Sequence, residues 1–131
     1  MQNKTAFAPM LIIKDGVAAV EFYKKAFGAT ELHRYANDDG TIHVSELAIE
    51  GNIFLIREVN PDRGHFDATL INGTTVLVGL FVDDPHTIQQ QALGAGATEL
   101  QPVRDMAETD YREGSIKDPF GHTWLILKKL S

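Results

Sequence analysis

The side chains in this sequence that could do chemistry are few and scattered. There are five histidines and no cysteine, which excludes thiolate nucleophiles, disulfides and zinc–thiolate centres; metal or acid–base work would fall to histidine and carboxylate. His43 and Glu46 are candidates for an acid/base pair, yet alternation along a strand places them on opposite faces, His43 with Ser45, Leu47 and Ile49. They therefore do not chelate one ion from a regular strand, and a hydrogen-bonded sheet histidine is the plainer reading of His43. His122 closes the turn Asp118-Pro119-Phe120-Gly121-His122, where Pro119 presets the bend and Gly121 suits a positive φ. A structural tie there competes with a ligating or catalytic role. His65 and His86 are expected to be solvated. Arg57 offers a fixed cation, and Tyr111-Arg112-Glu113 offers a ring that can stack and a second guanidinium. The bland alternatives are surface ion pairs, Arg57 with Glu58 or Glu46 and Arg112 with Glu113 or Asp110. The sequence contains no G-x-x-x-x-G-K-[ST], G-x-G-x-x-G or G-x-S-x-G, so neither a phosphate loop nor a serine-hydrolase elbow is supported.

These groups must be positioned by a chain of 131 residues, which the usual domain size makes a single domain. Twelve basic against eighteen acidic side chains give a net charge of −6, against the basic surface that nucleic acid or anionic lipid selects. The start of the chain has only a four-residue apolar run at positions 10–13, too short for a secretory signal or a membrane span. A cytoplasmic location is the resulting expectation.

The chain echoes itself. Gly28-Ala29-Thr30-Glu31-Leu32 recurs as Gly96-Ala97-Thr98-Glu99-Leu100, 68 positions on, and residues 51–56 align with 121–126 at an offset of 70. Two modules, about 6–58 and 74–129, are thus predicted, joined by a loop at 59–73. Each reads as strand, helix and three strands. In the first, residues 6–13 are extended, Asp15 caps a helix and Gly28 stops it. Ala19, Val20, Phe22, Tyr23, Ala26 and Phe27 form one apolar face of that helix. Strands follow at 30–35, 41–49 and 53–57. In the second, a strand at 75–82 leads to a helix from Pro85 to about Leu93, with Gln89-Gln90-Gln91 as a solvated face. Strands near 98–103, 111–117 and 123–128 complete it. Such a unit leaves one sheet face bare, and pairing two of them predicts a cleft.

The phrases Glu21-Phe22-Tyr23 before Phe27-Gly28-Ala29, and Asp118-Pro119-Phe120-Gly121-His122 before Trp124, taken together, resemble the vicinal oxygen chelate superfamily of glyoxalases, extradiol dioxygenases and bleomycin-resistance proteins, most closely its PhnB-like branch. The resemblance runs from about Ala6 to Lys128. It implies an α+β fold of two tandem βαβββ modules, forming a curled mixed-sheet cleft with helices outside. It also implies a homodimer, sometimes with modules exchanged between chains. The superfamily's divalent metal is held by His, Glu or Gln at four strand positions, which fall here on Ala8, Leu55, Leu77 (or Val76) and Leu125. Alkyl groups offer no lone pair. The expectation is therefore no metal and no cofactor.

If Leu55 and Leu125 face the cleft, alternation brings Ile53, Arg57, Thr123 and Leu127 with them. Ala8, Met10, Ile12, Leu77, Gly79 and Phe81 line the rest, with Tyr111 and Arg112 at the mouth. Phe54, Ile56, Trp124 and Ile126 pack under the helices. This predicts a metal-free protein that grips a hydrophobic or aromatic small molecule, with sequestration or resistance as the expected role. One alternative is a lyase or isomerase with a displaced metal at His43 or His122, or with His43 and Glu46 as an acid/base pair. The other is a structural dimerisation module without a ligand.

Overall fold

The computed structural model describes residues 4–131. Strand β1 (Met10–Ile13) enters helix α1 (Gly16–Phe27), and β2 (Thr30–Ala36), β3 (Ile42–Ile49) and β4 (Asn52–Glu58) complete the first sheet in the order β1-β4-β3-β2. After the connection, β5 (Val78–Phe81), α3 (Pro85–Ala95), β6 (Thr98–Asp105), β7 (Tyr111–Lys117) and β8 (Thr123–Lys129) repeat the pattern as β5-β8-β7-β6. In each sheet the first strand, β1 or β5, runs parallel to its neighbour, β4 or β8, and the other pairings are antiparallel. The α+β architecture of two βαβββ units is the one expected.

Local chemistry sets the helix ends. Asp15 accepts from the Ala18 N–H at 3.1 Å, and Gly28, at φ 67°, returns its N–H to the Lys24 carbonyl. Asp84 caps α3 through the Thr87 N–H, with Pro85 in the first turn. Ala19, Val20, Phe22, Tyr23, Ala26 and Phe27 are all buried, as their spacing predicts. Phe54, Ile56, Trp124 and Ile126 are buried as well, and α1, α3 and these strand faces form one hydrophobic core. The Trp124 ring lies 4.7 Å from that of Phe27 and 5.7 Å from that of Phe54, so the second module's last strand packs directly on the first module.

Four local expectations need correction. Strand β1 starts at Met10, because Pro9 has no N–H to give the ladder; only its carbonyl joins, accepting from Leu55. Strand β5 starts at Val78, after a bend that the Thr74 hydroxyl closes with Val76. The connection 59–73 is not plain loop. Asn60 caps a 3-10 turn (Pro61–Arg63), and Asp67, accepting from the Thr69 hydroxyl and the Leu70 N–H, caps helix α2 (Ala68–Ile71). Nor are the three glutamines a solvated face. Gln89 is 1 % exposed and donates to Glu99 and the Gln101 carbonyl, and Gln91 donates to the Lys25 and Ala26 carbonyls near the end of α1. Only Gln90 faces water without such work.

Glu31, on β2, accepts from Arg34 at 2.7 Å and from the Ser45 hydroxyl at 2.7 Å. Partial burial disfavours its charge, but hydrogen bonds from Arg34 and Ser45 outweigh this and hold the carboxyl below its ordinary value of 4.5. A folded-state pKa below the unfolded one stabilises above the unfolded value and ceases to as pH falls through the folded one. Glu31→Gln should therefore cost up to about 1 kcal/mol at pH 7. In urea titrations at stepped pH, its deficit against the parent should vanish below the ordinary glutamate range.

Candidate functional site

Each sheet has one helix-covered face and one open face, and the register says which side chains share the open one. On β4 the core takes Phe54 and Ile56, so Ile53, Leu55 and Arg57 point the other way. Leu55 and Arg57 lie opposite Met10 and Ile12 on β1, and opposite Glu46 and Val44 on β3. Glu46 and Val44 in turn lie opposite His33 and Tyr35 on β2. On the second sheet, Leu125 lies opposite Gly79 and Ser115, and Leu127 opposite Phe81 and Glu113. Tyr111 shares this face, and its ring meets that of Phe81 edge-on at 5.8 Å. Leu127 and Ser115 are the buried ones among these, Leu127 at 4 % exposure; it folds across Gly79 where a larger residue's Cβ would touch it.

The apolar edges of the two sheets meet around two cavities. One, of about 360 Å³, is lined among others by Phe7, Pro9, Asn52, Ile53, Gly79 and Phe81. The other, of about 340 Å³, lies between β1 and the segment that leads to β5, with Met10, Ile12, Phe66, Ile71, Val76 and His122 on its wall. Both volumes are at the lower end of those that hold small molecules. Of the lining residues expected from the sequence, Ile53, Phe81, Met10 and Ile12 are brought to these cavities. Leu55, Arg57, Tyr111 and Leu125 are half-buried on the open faces and line neither. Leu77 precedes β5 and is exposed. Phe66 escaped the sequence reading because it lies in the connection, where no alternation applies, and Phe7 because the expected strand at 6–13 put it on the face opposite Ala8, whereas β1 begins only at Met10. His33 and Tyr35 escaped because β2 slips register between Glu31 and His33.

The polar candidates fare differently. His43 does not share the buried face of Ser45, Leu47 and Ile49: the β2–β3 register shifts between Tyr35 and Ala36, and His43 is left exposed at that irregularity. Glu46 faces the opposite side, beside Leu55, so the two never converge. The Nε2 of His122 lies 2.9 Å from the Ile12 carbonyl, a tie between the modules. Arg112 is removed from the cleft altogether. It sits in phase with Gly114 and Ile116 on the helix-covered side and binds Asp105 at 2.8 Å, a partner supplied by β6 rather than by Asp110 or Glu113. That hydrogen bond raises the guanidinium pKa and lowers that of Asp105. Arg57 has no ion pair among the described residues; Glu58 instead accepts from the Gly16 and Ile42 N–H groups at 2.9 and 2.7 Å, holding the start of α1.

Ala8 precedes β1, Leu55 lies on β4, Leu77 precedes β5 and Leu125 lies on β8. None of these hydrocarbon groups can donate to a cation. Among the described residues no three His, Cys, Asp or Glu side chains come together as a set that could hold one. The residues present do not fit the divalent ion that the resemblance implies.

The family model of the glyoxalase/bleomycin resistance protein/dioxygenase superfamily matches residues 6–126. The chain belongs to this superfamily. It is 36% identical, over 92% of its own length and 81% of the other's, to an uncharacterised protein of Mycobacterium bovis. Among solved structures it is similar to an Arabidopsis thaliana gene product, at 29% identity and a TM-score of 0.75 over 95% of this chain and 98% of that one. It is also similar to TioX of a Micromonospora species, at 25% identity and a TM-score of 0.76 over 97% and 100%. Hydrocarbon stands at each of the four positions, Ala8, Leu55, Leu77 and Leu125, onto which the resemblance carries the family's metal ligands.

Proposed function

We propose that this member of the superfamily, which we place in its PhnB-like branch on the phrases around Phe22 and Phe120, binds a hydrophobic or aromatic small molecule without metal chemistry, in the manner of a bleomycin-resistance protein. The observation that carries the reading is the coincidence of the two. Alkyl groups occupy the four ligand positions, and the apolar cavities at the junction of the sheets are walled by the chain neighbours of Ala8 and Leu77, namely Phe7, Pro9, Val76 and Val78, with Leu55 and Leu125 on the open faces outside them. Burying ligand surface at roughly 25 cal/mol per Å² supplies the affinity, less the cost of ordering the complex. Ile53, Phe81, Met10 and Ile12 supply the wall, Leu55 and Leu125 its flanks, and Tyr111 and Arg57 orient the ligand. The exposed Phe66, Leu70 and Val76 beside the second cavity support a homodimer that covers part of this surface. Against the enzymatic alternative stand the contact of His122 Nε2 with the Ile12 carbonyl and the failure of His43 and Glu46 to share a face of β3.

Titration with a naphthalene sulfonate dye, followed by fluorescence, is expected to saturate. Ile53→Glu, which sets an unpaired charge on the cavity wall, should weaken binding by at least about tenfold. Elemental analysis of the purified protein should find no stoichiometric divalent ion. An ion that is lost on His43→Ala or His122→Ala would replace this reading with the enzymatic one.

A further inference from the structure

We infer that the open face of the first sheet carries a dipolar recognition pole, built by Arg57, Glu46 and the His33–Tyr35 pair, which selects ligands whose apolar body ends in an adjoining anion and N–H donor, as an amino-acid zwitterion does. The inference rests on the reading of this face as a ligand site. Its basis is a departure from how sheets ordinarily handle charge. Arg57 and Glu46 are half-buried, on adjacent strands and the same face, one step apart diagonally in the β3–β4 register. At that spacing two opposite charges would be expected to bridge. They do not: no ion pair or side-chain hydrogen bond joins either of them to any of the described residues.

The donors and acceptors are complementary in kind. A guanidinium only donates, and its planar fork matches a carboxylate; a carboxylate only accepts, and so takes an ammonium or amide N–H. His33 lies directly opposite Glu46, and its ring meets that of Tyr35 edge-on at 4.3 Å, which sets an aromatic shoulder beside the charged pair. On the second sheet the places of Glu46 and Arg57 are taken by Ser115 and Leu127, each lying opposite the equivalent neighbour. The second sheet keeps one half-buried charge on this face, Glu113 at the place of Val44. A half-buried arginine–carboxylate pair is therefore confined to the first module, and a ligand would lie with its polar end toward the first sheet and its apolar body toward Leu125 and Phe81.

Four probes with one ring system separate the contributions: indole, indole-3-propionate, tryptamine and L-tryptophan, titrated into the full chain and followed by amide NMR shifts. Tryptophan should bind tightest, about tenfold better than the two singly charged probes, with shifts at His33 and Tyr35 as well as Glu46 and Arg57. Glu46→Gln should remove the advantage of the ammonium and leave indole-3-propionate unchanged, and Arg57→Gln should do the reverse. Equal binding of all four probes would overturn the pole and leave the apolar site standing. No binding of any probe, indole included, would overturn both. Variants that shift the sedimentation coefficient without altering probe preference would also overturn it, assigning the two charges to a contact between copies.

Discussion

Asp118→Ala should destabilise the protein by about 3–5 kcal/mol, since it strips the acceptor from buried donors. Asp118 is 2 % exposed, and both of its carboxylate oxygens are used. Oδ2 accepts from the Tyr23 hydroxyl at 2.5 Å and from the Trp124 indole N–H at 3.0 Å. Oδ1 accepts from the Phe120 and His122 N–H groups at 2.9 and 3.0 Å. One carboxylate thus closes the turn before β8 and fastens that turn to α1 of the other module. Burial, with the neighbouring Asp118 charge and hydrogen bond, raises the Tyr23 phenol well above its ordinary pKa, so it stays a donor. Tyr23→Phe removes one of the four donors and should cost only about 1–2 kcal/mol. Urea unfolding of both variants, with circular dichroism and tryptophan fluorescence recorded together, checks this. A loss below about 1 kcal/mol for Asp118→Ala would mean that water or a rearranged turn replaces the carboxylate.

The second large effect is expected at Gly114. A Cβ there would collide with the Gln89 amide oxygen, and would lie 2.8 Å from Gln89 Cδ and 2.7 Å from Val103 Cγ2. Gln89 is buried and held by two hydrogen bonds, so it has little room to retreat, and its Oε1 already lacks a partner. Gly114→Ala should therefore cost about 2–3 kcal/mol through overpacking. Shortening the neighbour should recover part of that loss: the double variant Gly114→Ala, Gln89→Ala should be more stable than the sum of its parts, with a coupling of about 1 kcal/mol or more in a double-mutant cycle. Strict additivity would show that β7 relaxes away from α3 instead. Gly114 draws no attention in the sequence, because nothing local demands a glycine at that point of a strand.

The contrast between Gly28 and Gly114 shows where sequence reasoning stops. Gly28 ends a helix by adopting a left-handed φ, a requirement visible from the residues before it. Gly114 is required by a side chain 25 positions away in sequence. The same division separates the glutamines from the apolar helix face. The stripe from Ala19 to Phe27 follows from a period of 3.6, whereas the burial of Gln89 and the hydrogen bonds of Gln91 depend on which carbonyls α3 meets when it docks on β6 and α1.

At the candidate site, the alternation of Phe54 and Ile56 against Ile53, Leu55 and Arg57 was legible in one strand at a time, and the four alkyl positions followed from the resemblance to the superfamily. The partners across strands were not. Arg112 found Asp105, and His33 came to lie opposite Glu46, through β-bulges whose register shifts no single-strand pattern encodes.

By itself, then, the sequence determined the two-module repeat, the helix caps, the buried faces and the hydrocarbon nature of the wall. Each of these is a matter of residue type and short-range period. Only the tertiary structure decided which charges are spent in pairs and which are left unpaired among the described residues. Pairing across strands depends on register, and register is set by the whole sheet packing on its helix.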